Sequence, residues 1–219
     1  MTSAADREPA ERSALWELVD ERSPRGGAIK AVAFLSHPGP SLLVTGVTVA
    51  AALLLHRHAL PAATIVDVVL VVLPAQLATG VLNDWADADA DAVDKPFKPI
   101  ARGAVSRAGA LTLAAALLAL CLGVAAWWGG RYLLIACLGA GSGVVYDLWL
   151  KRSPASVLCW WGGFEAVVLL ATTTAGAGGA LLTTPLAALV AVELHVSNAT
   201  PDATGDRRAG FLTLPVVLG

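Results

Sequence analysis

The sequence predicts an all-α protein, a polytopic membrane helix bundle of about six transmembrane helices, and three observations carry that expectation. The chain of 219 residues is 56% hydrophobic and 15% charged, its mean hydropathy is +0.67, and its apolar residues gather in long stretches broken by short polar links. That is too much apolar surface for a water-soluble domain to hide, so a bilayer has to be the solvent. A spanning helix needs roughly 20 mostly apolar residues, because about 30 Å of hydrocarbon is crossed at about 1.5 Å per residue.

Taken in order, residues 1–36 form an amino-terminal segment rich in charge, from Arg7 to Lys30, with no apolar core of the kind that opens a signal peptide. Ala14, Leu15, Leu18 and Val19 recur at helical spacing beside Trp16, which fits either a short helix lying on the membrane surface or a solvated tail. Residues 37–219 are the membrane domain. Its spans run from about Pro38 to Leu55, Leu60 to Leu82, Ala108 to Trp128, Arg131 to Leu150, Pro154 to Thr174 and Gly178 to Val196. Cys121, Cys137 and Cys159 fall inside these spans without CxxC spacing and read as packing residues. Trp127, Trp128, Trp149, Trp160 and Trp161 sit near span ends, as amphipathic rings at a headgroup boundary do.

Orientation follows from the cations, which are retained on the cytoplasmic side. Of the 15 Lys and Arg residues, all but Arg57 and Arg131 fall in the amino-terminal segment, the second-to-third and fourth-to-fifth links, and the tail after the sixth span. A multi-pass protein of the cell membrane with both ends of this chain cytoplasmic is expected. No nucleic-acid partner is expected; membrane lipid is.

Five carboxylates crowd the link after the second span, in Asn83-Asp84-Trp85-Ala86-Asp87-Ala88-Asp89-Ala90-Asp91-Ala92-Val93-Asp94. If that helix continues, Asn83, Asp87 and Asp91 share one face at i, i+4 and i+8, joined by Asp84. Asn198, Asp202 and Asp206 repeat the same spacing after the sixth span, at the same side of the membrane. A single acidic run fits a solvated loop as well as a site. Two matched runs on a membrane bundle point instead to a hard cation such as Mg2+, held by one or two carboxylates together with phosphate oxygens. Lys95, Lys98 and Arg102 follow closely enough to meet a diphosphate, and they also serve as topology-setting charge. Pro96 and Pro99 stop the helix there.

These residues resemble the UbiA superfamily of intramembrane prenyltransferases. Asn83-Asp84-x-x-Asp87-x-x-x-Asp91, followed by Asp94-Lys95-Pro96-Phe97-Lys98-Pro99-Ile100-Ala101-Arg102-Gly103, is similar to that family's first motif and its basic, proline-rich loop. Tyr146 to Lys151 resembles its Tyr-to-Lys segment, and Asp202-Ala203-Thr204-Gly205-Asp206 its second acidic motif. Ala199 stands where many members have an acid, and the resemblance covers about six of the usual nine helices.

The resemblance implies Mg-dependent transfer of an isoprenyl group from a prenyl diphosphate to a lipophilic, aromatic acceptor within the membrane. The metal would be held by Asn83, Asp84, Asp87, Asp91, Asn198, Asp202 and Asp206, and the diphosphate by Lys95, Lys98, Arg102 and Lys151. Tyr146 and Lys151 would be catalytic, the ring of Tyr146 facing the allylic cation. The alternative is a truncated, inactive relative or a fragment of such an enzyme, with a second copy or a partner subunit supplying the missing helices. Among other polar residues at membrane depth, Asp67 and His195 read as interfacial. Glu193 reads as a support for the second motif, and Glu165 as a pocket acid or an interhelical hydrogen bond.

Overall fold

The computed structural model describes residues 24–56, 60–177 and 180–218, and every described regular element is helical. The surface helix expected around Trp16, and the position of Arg57, lie outside the described residues. In chain order the helices are α1 (Pro24–Leu35), α2 (Pro38–Leu55), α3 (Ala62–Ala86), α4 (Ala88–Asp94), α5 (Arg107–Trp128), α6 (Gly130–Val145), α7 (Ser156–Thr174), α8 (Ala180–Ala199), α9 (Ala203–Ala209) and α10 (Leu214–Leu218). A π turn (Tyr146–Leu150) extends α6, and a 3-10 turn (Thr200–Asp202) joins α8 to α9. Five of these elements are long and apolar enough to cross a membrane: α2, α3, α5, α6 with its π turn, and α7. The sixth expected span is present as α8, of 20 residues, with Pro185 inside it. The protein is an integral membrane protein built as an all-α bundle.

Local chemistry sets the helix ends. Pro38 begins α2, where a missing N–H costs nothing. Ser106 caps α5 by accepting a hydrogen bond from the Gly109 amide at 3.0 Å. Gly129 alone separates α5 from α6 at φ 122°, a conformation that side chains other than glycine rarely adopt. In the apolar spans, Thr45, Thr48, Thr79 and Thr172 return their hydroxyls to the carbonyl four residues back, so none needs water.

The helix α3 is the axis of the bundle. It packs along α5, α2 and α6, while α7 closes the ring against α2 and α6, and α8 packs outside α7. The core is made chiefly of small residues. Ala75, Ala125, Ala136, Ala140 and Ala166 surround Val68, Val71, Cys121 and Leu170 in one cluster, and Ala110 and Ala114 meet Leu35, Val81 and Leu82 in another. Small side chains bring backbones close, which is how helices gain contact where lipid is as apolar as leucine. At Gly80 an added Cβ would stand 2.8 Å from the Ser36 carbonyl oxygen. The large apolar side chains point outward instead, Trp127 at 90% exposure and Leu54 at 87%.

Two expectations change at this level. Trp160 is not a headgroup anchor: it turns inward and stacks on Phe164. His195 is not interfacial: only 1% of it is exposed, because α8 packs that face against α7. Glu165 resolves as an interhelical hydrogen bond, accepting from Thr184 at 2.7 Å.

Candidate active site

The acidic motif forms because α3 runs on into α4 with Asp87 alone between them. The Asp87 amide donates to the Asn83 carbonyl at 3.1 Å, the Asp91 amide to Asp87 at 2.8 Å and the Lys95 amide to Asp91 at 2.8 Å, so the helical ladder survives the junction. Pro96 and Pro99 then turn the chain, and the turn brings Lys98 back over the acids. Its ammonium donates to Asp84 Oδ1 at 2.7 Å and to Asp91 Oδ2 at 2.8 Å. Asp84 is 1% exposed, and the same Oδ1 also accepts from His37 Nε2 at 3.0 Å. Burial penalises the Lys98 ammonium, but its bonds to Asp84 and Asp91 and their negative charge outweigh that and hold it above the usual lysine range.

The second wall comes from the π turn. The Lys151 amide bonds the Tyr146 carbonyl at 2.9 Å, five residues back. This wider turn rotates the side chains relative to an α-helix, a device common at functional sites. It places Lys151 against Asp87 in an ion pair, with Arg152 3.8 Å from the other oxygen of that carboxylate. It also turns Asp147 inward, 5% exposed, to accept from Asn83 Nδ2 at 2.9 Å.

Two cavities meet here. A polar one of about 230 Å3 is lined by Trp85, Ala86, Asp87, Asp147, Leu148, Trp149, Lys151 and Arg152. A larger one of about 360 Å3 runs into the bundle, walled by Pro40, Val44, Gly139, Tyr146, Cys159, Trp160, Gly163, Phe164 and Val167 among others, with His37, Gln76, Asn83 and Asp147 among its polar groups. Tyr146 meets Trp160 edge-on at 6.3 Å between ring centroids, and His195 lies behind both at 6.5 and 5.5 Å. Ser156 donates its hydroxyl proton to the Ser153 carbonyl at 2.7 Å, so its oxygen accepts from His195 Nε2 at 2.9 Å. That fixes the His195 tautomer and leaves Nδ1 buried without a partner among the described residues.

Asn83, Asp84, Asp87, Asp91, Lys98, Tyr146 and Lys151 are thus gathered at one end of the bundle. Lys95 and Arg102 are exposed and line neither cavity. In the second motif Asn198 is exposed, Asp206 accepts from Thr213 at 3.0 Å, and the Asp202 side chain lies outside the described residues. Arg152, which faces Asp87, also sets its guanidinium 4.6 Å over the ring of Phe211, in the segment that follows the second motif. Glu193, expected to support the second motif, is exposed. His37, Asp147, Arg152 and Trp160 were not anticipated as site residues. Asp147 and Arg152 flank or lie within the Tyr-to-Lys segment, and His37 precedes the first proline of α2, so adjacency was the available signal.

The donor chemistry suits a hard divalent cation. Among the described residues no three His, Cys, Asp or Glu side chains gather into a closed metal cage. Magnesium does not need one, since it keeps waters and substrate oxygens beside one or two carboxylates. Asp84 Oδ2 and Asp147 Oδ2 are both buried and without a hydrogen-bond partner among the described residues, and unsatisfied buried carboxylate oxygens are costly unless something positive meets them.

The UbiA prenyltransferase family matches residues 43–219. The chain belongs to that family. It is 31% identical over 194 residues to the digeranylgeranylglyceryl phosphate synthase of Natronomonas pharaonis, covering 87% of this chain and 70% of that protein. It is 29% identical over 161 residues to the chloroplastic chlorophyll synthase of Oryza sativa subsp. japonica, covering 64% and 41%. A solved UbiA homolog from Archaeoglobus fulgidus bound to GPP and Mg2+ superposes with a TM-score of 0.77 at 21% identity, over 86% of this chain and 69% of that one. The class expected from the motifs, a membrane-bound prenyltransferase, is borne out by this UbiA membership. The chain spans 70% of the Natronomonas relative and 51% of a Halobacterium salinarum one.

Proposed function

We propose that residues 37–219 of this UbiA chain form a catalytic unit that transfers an isoprenyl group from a prenyl diphosphate to a lipophilic acceptor inside the membrane, with a magnesium requirement. The carrying observation is the abutment of the two cavities: a small charged chamber bearing Asp87, Lys151 and Arg152 opens beside a larger apolar one. A diphosphate fits the first chemically and a prenyl chain the second. The acceptor is assigned no more finely than lipophilic, because the relatives are named for two different products.

Asn83, Asp84, Asp87 and Asp91 would hold Mg2+, with Asp206 and Asn198 approaching from the second motif. When bound, the ion would neutralise the leaving diphosphate. The protein's own part begins with Lys151 and Arg152, whose donors suit the remaining phosphate oxygens. Cleavage of the C1–O bond leaves the electron pair on the diphosphate and an allylic cation on the prenyl group. Water would quench that cation, and the apolar walls of the larger cavity exclude it. The faces of Tyr146 and Trp160 offer electron density to the positive charge until the acceptor attacks and loses a proton. The lysine and arginine distribution supports a cytoplasmic site, with both ends of this chain on that side.

The test is release of diphosphate by the purified chain from prenyl diphosphates of graded length, with and without Mg2+, in wild type and Asp87→Ala. Turnover that requires Mg2+ and disappears in the variant is expected. Turnover indifferent to both would overturn the proposal.

A further inference from the structure

Among the described residues, Asp147 alone lines both cavities. It stands where the diphosphate chamber opens onto the apolar cavity, at the place where the scissile C–O bond would lie on the reading above. Its two oxygens have different surroundings. Oδ1 accepts from Asn83 Nδ2 at 2.9 Å. Oδ2 is buried and has no partner among the described residues, while only 5% of the residue is exposed.

The Asn83 bond has a directional consequence. An amide has one end that binds cations, its oxygen, and one end that repels them, its NH2 group. Asp147 occupies the NH2 end of Asn83, so the end left for a cation is the oxygen. Removing a group that orients a metal ligand from behind in this way typically costs about 10- to 100-fold in metal affinity. The second oxygen of Asp147 is then an acceptor-only atom, buried on a residue that edges the same chamber as Asp87, Lys151 and Arg152.

We propose that Asp147 completes the cation site, Oδ1 setting the Asn83 amide with its oxygen toward the ion and Oδ2 adding a further oxygen where the two cavities join. The proposal rests on the prenyltransferase reading and adds a residue outside both acidic motifs. It explains why a carboxylate is kept buried in the π turn with half its hydrogen-bonding capacity unspent.

The experiment measures Mn2+ binding to the full chain in detergent micelles, from the loss of the free-ion EPR signal, with and without inorganic pyrophosphate. Asp147→Asn keeps the shape and an oxygen for the Asn83 amide but removes the charge; Asp147→Ala removes both. The expected losses of Mn2+ affinity are about 10-fold for the first and up to about 100-fold for the second. Asp89→Asn, on the exposed face of α4 and paired with Arg107, should bind as wild type does. Melting temperatures measured without metal serve as the structural readout. Affinity lost while the Asp147→Asn melting temperature holds supports the proposal. Affinity within twofold of wild type in Asp147→Asn, or lost only in parallel with the melting temperature, overturns it, and this variant decides the matter if Asp147→Ala does not fold. Wild-type protein that neither binds Mn2+ nor releases diphosphate would instead sink the underlying functional reading, and the role of Asp147 with it.

Discussion

Replacing Lys98 with methionine should destabilise the protein by about 3 kcal/mol, and the reason can be worked from the site. The ammonium bridges two carboxylates at 2.7 and 2.8 Å, with side-chain exposures of 12% for Lys98, 1% for Asp84 and 8% for Asp91. Breaking a buried pair by deleting one partner costs roughly 3–5 kcal/mol, most of it the uncompensated charge left behind. Asp84 retains its bond from His37 and Asp91 lies nearer the surface, which places Lys98→Met at the lower end. With about 2–4 °C per kcal/mol for a protein of this size, the melting temperature should fall by about 6–12 °C. Tryptophan fluorescence during heating in detergent reads this directly. The double variant Asp84→Asn, Lys98→Met removes both charges together and should recover part of the loss, giving a coupling of about 1–3 kcal/mol in the cycle. A single variant that melts within about 1 °C of wild type, or a cycle with no coupling, would refute the account of Lys98 as the counter-charge of the acid cluster. The raised pKa gives the pH dependence its sign. A cation with an elevated folded pKa contributes fully below its ordinary value and is lost only as pH rises through the elevated one, so the contribution of Lys98 should be flat between about pH 6 and 9.

Two further outcomes follow from the inner wall of the bundle. Ser156→Ala leaves His195 Nε2 without its acceptor in a site 1% exposed, and should cost about 1–3 kcal/mol in thermal unfolding. Trp160→Leu keeps the volume apolar but removes the ring beside Tyr146; with a desolvated cation–π contact worth about 2 kcal/mol, kcat for diphosphate release should fall about 30-fold while KM for the prenyl diphosphate changes little.

The spans and their approximate ends were legible because they are bounded by charge, proline or glycine, as at Pro38, Arg107 and Gly129. The acids of the first motif were legible because i, i+4 spacing has only one reading on a helix. Which face of each span turns inward was not. A helix apolar all round carries no amphipathic signal, and in lipid the inward face is chosen by small residues that permit close approach. Trp160 and His195 were therefore assigned to the membrane boundary when the packing of α7 against α6 and α8 draws them inside. Asp147 was hidden for a different reason. Its direction depends on the π turn, one extra residue in the ladder that rotates everything after Tyr146, and no spacing rule for an ordinary helix anticipates it.

The glycine between α5 and α6 has a consequence for where the chemistry happens. With a single residue at the bend, the two spans have no slack on that side and must reach the boundary together, where Trp128 and Tyr132 lock edge to face at 4.7 Å. Twenty-two residues of α5 measure about 33 Å from that corner, nearly the thickness of the hydrocarbon itself. The corner acts as a plumb weight: it ties together the heights of the opposite ends of α5 and α6, and under the proposed function that would hold the mouth of the polar chamber level with the headgroups, where a charged head and a greasy tail would be received at the same time.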